Sequence, residues 1–199
     1  MELVTGGAGF IGSHLVDSLV SKGLKVRVLD NFSSGRKEFL EHHSETNNVE
    51  IIIADLLDLD AVKSAMNGIE TVHHLAANPD IRLGTEITDT DLQQGTIATY
   101  NVLEAMRHNG VKRISFASSS AIYGEASVMP TPETYGPVLP ISLYGASKLA
   151  SEALISSWCG TFGGEAWINR FANIVGPRGT HGVIFDFIHK LKKDPNRLE

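Results

Sequence analysis

Thr5-Gly6-Gly7-Ala8-Gly9-Phe10-Ile11-Gly12 is the stretch that decides the fold. It follows a short apolar run, Glu2-Leu3-Val4-Thr5, and opens a segment of helical periodicity from Phe10 to Val20. Gly6, Gly9 and Gly12 fall at the spacing G-x-x-G-x-x-G. The first glycine permits a tight turn, the second lets backbone approach a pyrophosphate, and the third lets strand and helix pack closely. The helix that begins here, at Phe10 and Ile11, adds free N–H groups and the positive end of its dipole.

Outward from this loop the pattern alternates. Short apolar runs at 25–29, 49–53, 71–75, 113–116 and 166–171 are separated by helical stretches at 58–66, 89–108 and 143–158. A last helical stretch runs over 183–192, and the proline-rich segment 129–140 reads as a loop. Such alternation predicts an α/β Rossmann-type fold, a doubly wound parallel sheet with helices on both faces. Asp30 stands at the end of the second strand, where a carboxylate accepts from a ribose hydroxyl and repels a 2′-phosphate. That favours NAD over NADP, although Arg36 lies nearby.

Composition narrows the classes. The chain has 199 residues, 42% hydrophobic and 20% charged, enough for one sizeable core. Its net charge of −6 and the lack of a Lys/Arg block argue against nucleic acid as a partner. No apolar run suits a membrane span and no leader is visible, so the expected location is the cytoplasm. Cys159 is the sole cysteine, so an internal disulfide is excluded; at the end of an apolar helix it reads as a packed thiol. Trp158 and Trp167 read as core or interface aromatics. Eight histidines raise the question of a metal, but His42-His43 and His73-His74 are adjacent pairs expected to point to different sides of an element, so no metal site is expected. His181 lies in a loop that substrate could reach.

Chemistry concentrates late in the chain. Tyr144-Gly145-Ala146-Ser147-Lys148 puts a phenol and an ammonium at i and i+4, on one helix face. A phenol with its ordinary pKa of about 10 is a poor base at neutral pH. A neighbouring Lys⁺ and an oxidised nicotinamide ring both favour the phenolate. Upstream, Ala117-Ser118-Ser119-Ser120-Ala121-Ile122-Tyr123-Gly124 supplies hydroxyls at a strand's carboxyl end, where open parallel sheets collect their ligands.

These stretches resemble the extended short-chain dehydrogenase/reductases, and among them the epimerases and dehydratases of nucleotide sugars, nearest the UDP-glucose 4-epimerase type. The resemblance also rests on Asp30 to Gly35, Ala54-Asp55-Leu56, His74-Leu75-Ala76-Ala77 and Arg170 to Arg178. It implies NAD as cofactor, held by the glycine loop, by Asp30, Asn31, Ser33, Ser34 and Gly35 around the ribose, by Asp55 and Leu56 at the adenine, and by Leu75, Ala76, Ala77, Tyr144, Lys148 and Phe171. It implies Tyr144 as base, Lys148 as its partner and Ser119 in the catalytic Ser/Thr place, with Ser119, Tyr144 and Asn173 facing a UDP-hexose. It further implies homodimers paired through the fourth helix (Ile97, Tyr100, Val102, Leu103, Met106) and the Tyr-x-x-x-Lys helix (Leu149, Ala153, Leu154, Trp158).

Three departures stand out. Glutamines replace the family's usual asparagine ahead of Gly95-Thr96, and Asn78 to Glu86 is short and contains proline. Family members also continue well past this chain's last residue, so a substrate domain is expected to be largely absent, with 1–178 binding NAD and 179–199 starting the substrate part. Dehydratases of the family carry an Asp-Glu pair directly after the catalytic Ser/Thr, where this chain has Ser120 and Ala121. Epimerisation through a 4-keto sugar therefore ranks above 4,6-dehydration or another oxidoreduction of this superfamily. A non-catalytic NAD-binding module is the competing class, distinguished by whether the reading frame continues beyond Glu199.

Overall fold

A computed structural model describes residues 1–180 and 182–197. The strands are β1 (Glu2–Thr5), β2 (Val26–Asp30), β3 (Val49–Ile53), β4 (Thr71–His74), β5 (Arg113–Ser119) and β6 (Glu165–Phe171). All pair in parallel in the order β3-β2-β1-β4-β5-β6. Between them run helices α1 (Phe10–Ser21), α2 (Leu59–Ala65), the single turn α3 (Leu83–Glu86), α4 (Ala98–Asn109) and α5 (Leu143–Phe162), with α6 (Val183–Lys193) last. The Rossmann-type expectation holds, and 120–140 carries only a short turn at Ser120–Tyr123.

Alternation along each strand splits the core in two. Leu3, Leu29, Val72, Ile114 and Phe116 face α2, α4 and α5, meeting Val62, Val102, Met106, Ile155 and Trp158. Val4, Val26 and Val28 face the other way, onto Val16 and Leu19 of α1 and onto Leu40. Both faces of the inner strands are thus covered, which is why they read as continuous apolar runs. Cys159 packs against the first cluster, and burial pushes its thiol up. Trp158 belongs to that cluster, whereas Trp167 lies half exposed on the edge strand β6.

Two details differ from expectation. α5 continues four residues past Trp158 to Phe162 and stops at Gly163, whose φ of 68° is the left-handed conformation that ends helices. The stretch ahead of α4 is wound more widely than an α-helix over Leu92–Ile97. A segment of this kind accommodates an extra residue and often marks a functional site.

Candidate active site

Strand order reverses between β1 and β4, and the loops leaving these two strands open a crevice at their carboxyl ends. The loops press together, since a Cβ on Gly6 would lie 2.8 Å from Ala76 Cα. A Cβ on Gly12 would lie 2.1 Å from the Gly6 carbonyl oxygen, so the helix start can sit on the loop only without a side chain. Gly9 caps α1 without a side-chain hydrogen bond, and no acidic residue occupies the first turn. The N–H groups at Phe10, Ile11 and Gly12 are left for an anion, as a pyrophosphate cradle requires.

The cleft has a volume of about 690 Å³. Gly6, Gly9, Phe10, Ile11, Gly12, Asp30, Asn31, Ser33, Ser34, Leu56, Leu75, Ala76, Ala77, Ser119, Tyr144, Lys148, Phe171 and Asn173 all line it. Gly35 and Asp55 do not, and each has a structural task beside it. Asp55 accepts from Asn31 Nδ2 at 2.8 Å and from the Leu57 N–H at 2.9 Å. Gly35 lies so close to Asp30 that a Cβ would sit 2.9 Å from its Oδ1. Asp30 is itself nearly buried; its Oδ2 accepts from the Ala8 N–H at 2.9 Å and its Oδ1 from the Phe32 N–H at 2.8 Å. A carboxylate has about four acceptor sites, so two remain for a diol while the same group ties the ribose loop to the glycine loop.

Across the cleft, Ser119 and, outside it, Ser142 fix the backbone around Tyr144 and Lys148. Ser119 accepts from the Ala121 N–H at 3.1 Å, and Ser142 caps α5 by accepting from Gly145 at 3.0 Å. A Cβ on Gly145 would lie 2.7 Å from the Ala121 carbonyl, so glycine lets the helix start dock on the turn that carries Ser119. Lys148 is buried; its Nζ donates to the Ala117 carbonyl at 2.7 Å and sits 5.7 Å from the Tyr144 ring centroid. Burial lowers the Lys148 ammonium to about 8, with Asp91 pulling it back up. The Tyr144 phenol is raised, by burial first and by Asp91, against a hydrogen bond from Ser119. Within the protein the Tyr144 phenol thus stays above the range of a neutral-pH base, and the second cation expected to favour the phenolate belongs to the oxidised cofactor.

Asp91 escaped the sequence reading. It is buried, its Oδ1 accepts from Asn78 Nδ2 at 3.0 Å, and its Oδ2 has no hydrogen-bond partner among the described residues. A Cβ on Gly84 would lie 2.4 Å from that oxygen, so the short Asn78–Glu86 segment closes over it. On the same stretch Gln94 lines the cleft while Leu92 is exposed. The mostly polar run Thr88 to Gln94 offers no sequence signal that singles Asp91 out.

The histidines need one correction. His73 and His74 do point to opposite sides of β4, His73 Nε2 lying 2.9 Å from Glu2 Oε2 and the buried His74 lying between Thr5 Oγ1 (2.7 Å) and Thr99 Oγ1 (3.0 Å). Burial above all, then Lys148, lowers His74 to about 3, so it is a neutral structural residue. His42 and His43 do not diverge. They lie on a tight turn, Glu41–His43, outside any strand, and both direct Nε2 at Asp17 Oδ1, at 2.8 and 2.7 Å. His181 lies outside the described residues.

Residues 2–198 match the NAD dependent epimerase/dehydratase family. The chain belongs to that family. The NAD dependence of the family agrees with the expected cofactor. A Methanocaldococcus jannaschii protein provisionally named UDP-glucose 4-epimerase is 39% identical over the whole chain, which spans 65% of that protein. The Xenopus tropicalis UDP-glucuronic acid decarboxylase 1 is 35% identical over 88% of the chain and 41% of its own length. Among solved structures, the Thermotoga maritima UDP-glucose 4-epimerase with UDP-glucose superposes with a TM-score of 0.89 at 36% identity, covering 96% of this chain and 63% of that one. The chain thus spans less than two thirds of these family members. Among the described residues no helix is long and apolar enough to cross a membrane.

Proposed function

We propose that this chain is the cofactor-binding part of a UDP-hexose 4-epimerase, with 1–178 holding NAD and 179–199 beginning the substrate part. The observation that carries the reading is the grouping of Ser119, Tyr144 and Lys148 on the cleft wall opposite the glycine loop, with no acid following Ser119. Gly179, Thr180 and the α6 residues Val183, Ile184 and Ile188 line the same cleft, as a substrate wall would.

NAD, which the glycine loop and Asp30 would hold, would supply reversible hydride transfer at C4 of the sugar. The protein's own residues handle the proton. Ser119 holds the reacting hydroxyl, and Tyr144 takes its proton once the cationic charge of the oxidised cofactor adds to that of Lys148. Ser120 and Ala121 offer no acid to expel a hydroxyl, which supports epimerisation over 4,6-dehydration. The test is an assay of the full-length gene product on UDP-glucose. UDP-galactose is the expected product; a dehydrated or decarboxylated sugar, or no reaction on any UDP-hexose, overturns the reading.

Cofactor choice gives a second test. Asp30 opposes a 2′-phosphate, and like charges about 4 Å apart repel by ~1–4 kcal/mol at dielectrics from 80 to 20. Calorimetric titration should show NAD binding at least about tenfold tighter than NADP. Equal or tighter NADP binding overturns the role of Asp30 and points to Arg36.

We further propose a homodimer, located in the cytoplasm. Val102, Leu103, Met106 and Trp158 are committed to the core, but Leu92, Ile97 and Tyr100 before and on α4, and Leu143 on α5, are exposed. This outward apolar strip supports pairing through those helices. Sedimentation at micromolar concentration should give a dimer; a monomer alone overturns it.

A further inference from the structure

We propose that Asp17, His42 and His43 form a site for one divalent metal ion of the zinc type, separate from the cleft, which clamps the segment following the ribose loop to helix α1. Asp17 comes from α1, and the two histidines come from the turn that follows the ribose-loop residues Asn31 to Gly35. One ligand atom from each residue lies within 4.8 Å of the other two. The imidazole centroids are 4.0 Å apart, and the rings direct the same nitrogen at one carboxylate oxygen.

Zinc–nitrogen and zinc–oxygen bonds of about 2.0–2.2 Å put tetrahedral ligand atoms roughly 3.3 Å apart. The present separations of 2.7 and 2.8 Å are those of hydrogen bonds. Opening the triad by about half an ångström, with each bridging proton leaving Nε2 (to Nδ1 in a neutral imidazole, to solvent from an imidazolium), seats an ion bound by two histidines and a carboxylate. The approach is open, because the His42 side chain is 48% exposed while that of His43 is 9% exposed. A water takes the fourth position from the His42 side.

A shell around the triad orients the ligands, as such shells do in metal sites. Arg178 Nη1 lies 2.8 Å from Asp17 Oδ2, leaving Oδ1 to face the imidazoles. Both imidazole Nε2 atoms and the Arg178 guanidinium lie against the Asp17 carboxylate, one oxygen of which faces the two rings. The Arg178 charge also opposes a dication, so the binding is expected to be reversible by chelator. Arg178 also stacks over Phe39, and the neighbouring Pro177 carbonyl lies 2.9 Å from His14 Nε2. The ion therefore joins α1 to the ribose-loop side at a point where the segment after β6 already rests on both.

The test is titration of metal-stripped, tag-free protein with Zn²⁺ and Co²⁺, by calorimetry and by the visible absorption of four-coordinate Co²⁺. One equivalent should bind, raise the melting temperature, and be lost at least tenfold in affinity in His42→Ala. His42 is exposed, so this variant keeps its fold, and its NAD affinity in metal-free buffer serves as the control. His43→Asn should lose the Co²⁺ spectrum as well. No saturable binding, or binding that His42→Ala leaves unchanged, overturns the proposal.

Discussion

Tyr144→Phe should leave NAD binding intact and cut turnover of the full-length enzyme by the ~10²–10⁴-fold typical of a lost general base. In the proposed reaction the phenol takes the sugar hydroxyl proton; it stands beside Ser119 and Lys148 on the cleft wall. Phenylalanine keeps the ring, so packing at the start of α5 is preserved. The glycine loop and Asp30 are untouched, so cofactor affinity should not move. Lys148→Ala should shift the pH–rate profile upward, because the phenolate loses a nearby cation while burial continues to raise the phenol. The deciding measurement is single-turnover reduction of bound NAD by a UDP-hexose. If Tyr144→Phe reduces it as fast as the unmodified protein, the base lies elsewhere.

The largest stability loss should come from Arg170→Met. Arg170 Nη2 lies 2.8 Å from Glu152 Oε2 and its Nε donates to Oε1 at 3.1 Å, while Nη1 donates to Tyr123 Oη and to the Glu133 carbonyl, both at 3.0 Å. Ser118 Oγ donates to the same Glu152 carboxylate. Removing the guanidinium leaves a buried carboxylate with one hydroxyl partner. Breaking such a pair costs 3–5 kcal/mol when it is deeply buried. The Arg170 side chain is 27% exposed, so about 3 kcal/mol is the better expectation. In a chain of this size that is roughly 6–12 °C in melting temperature. Arg170→Met with Glu152→Leu should recover most of the loss, because no buried charge is then stranded. A single-variant loss below about 0.5 kcal/mol would show the pair to be as screened as a surface one. The damage should also reach catalysis, since Ser118 adjoins Ser119 and Tyr123 closes the turn between them and the 124–140 loop.

Much of this site was legible because its parts are local. The glycine spacing, the strand-end carboxylate at 30 and the i, i+4 pair at 144 and 148 each encode a geometry within a few residues. Asp91 was illegible because its meaning is tertiary: only when Asn78, Gly84 and the start of α5 close around it does one carboxylate among many become a counter-charge to Lys148. The His42-His43 pair misled for a related reason. Adjacent residues diverge on a strand, but a tight turn breaks that rule, and nothing in the pattern around 37–44 announces the turn. The end of α5 was misplaced because apolar periodicity fades after Trp158, while the backbone stays helical until Gly163 supplies a left-handed stop.

The strand order has a consequence for synthesis on the ribosome. β1, β2 and β3 are neighbours in both sequence and sheet, so this flank can assemble as soon as it emerges. β4 follows β3 closely and covers the second edge of β1, but β4 then waits for β5 (from Arg113) and β5 for β6 (from Glu165) before each has its own second edge paired. Phe171 and the residues after it reach the cleft only once β6 has docked on β5. The glycine-loop side of the cleft is thus made early and the Phe171 side last, so the nascent protein passes through two long intervals in which first β4 and then β5 has an unpaired edge. Such an edge invites pairing with other chains, and in a growing chain the segments that follow it are what shield it.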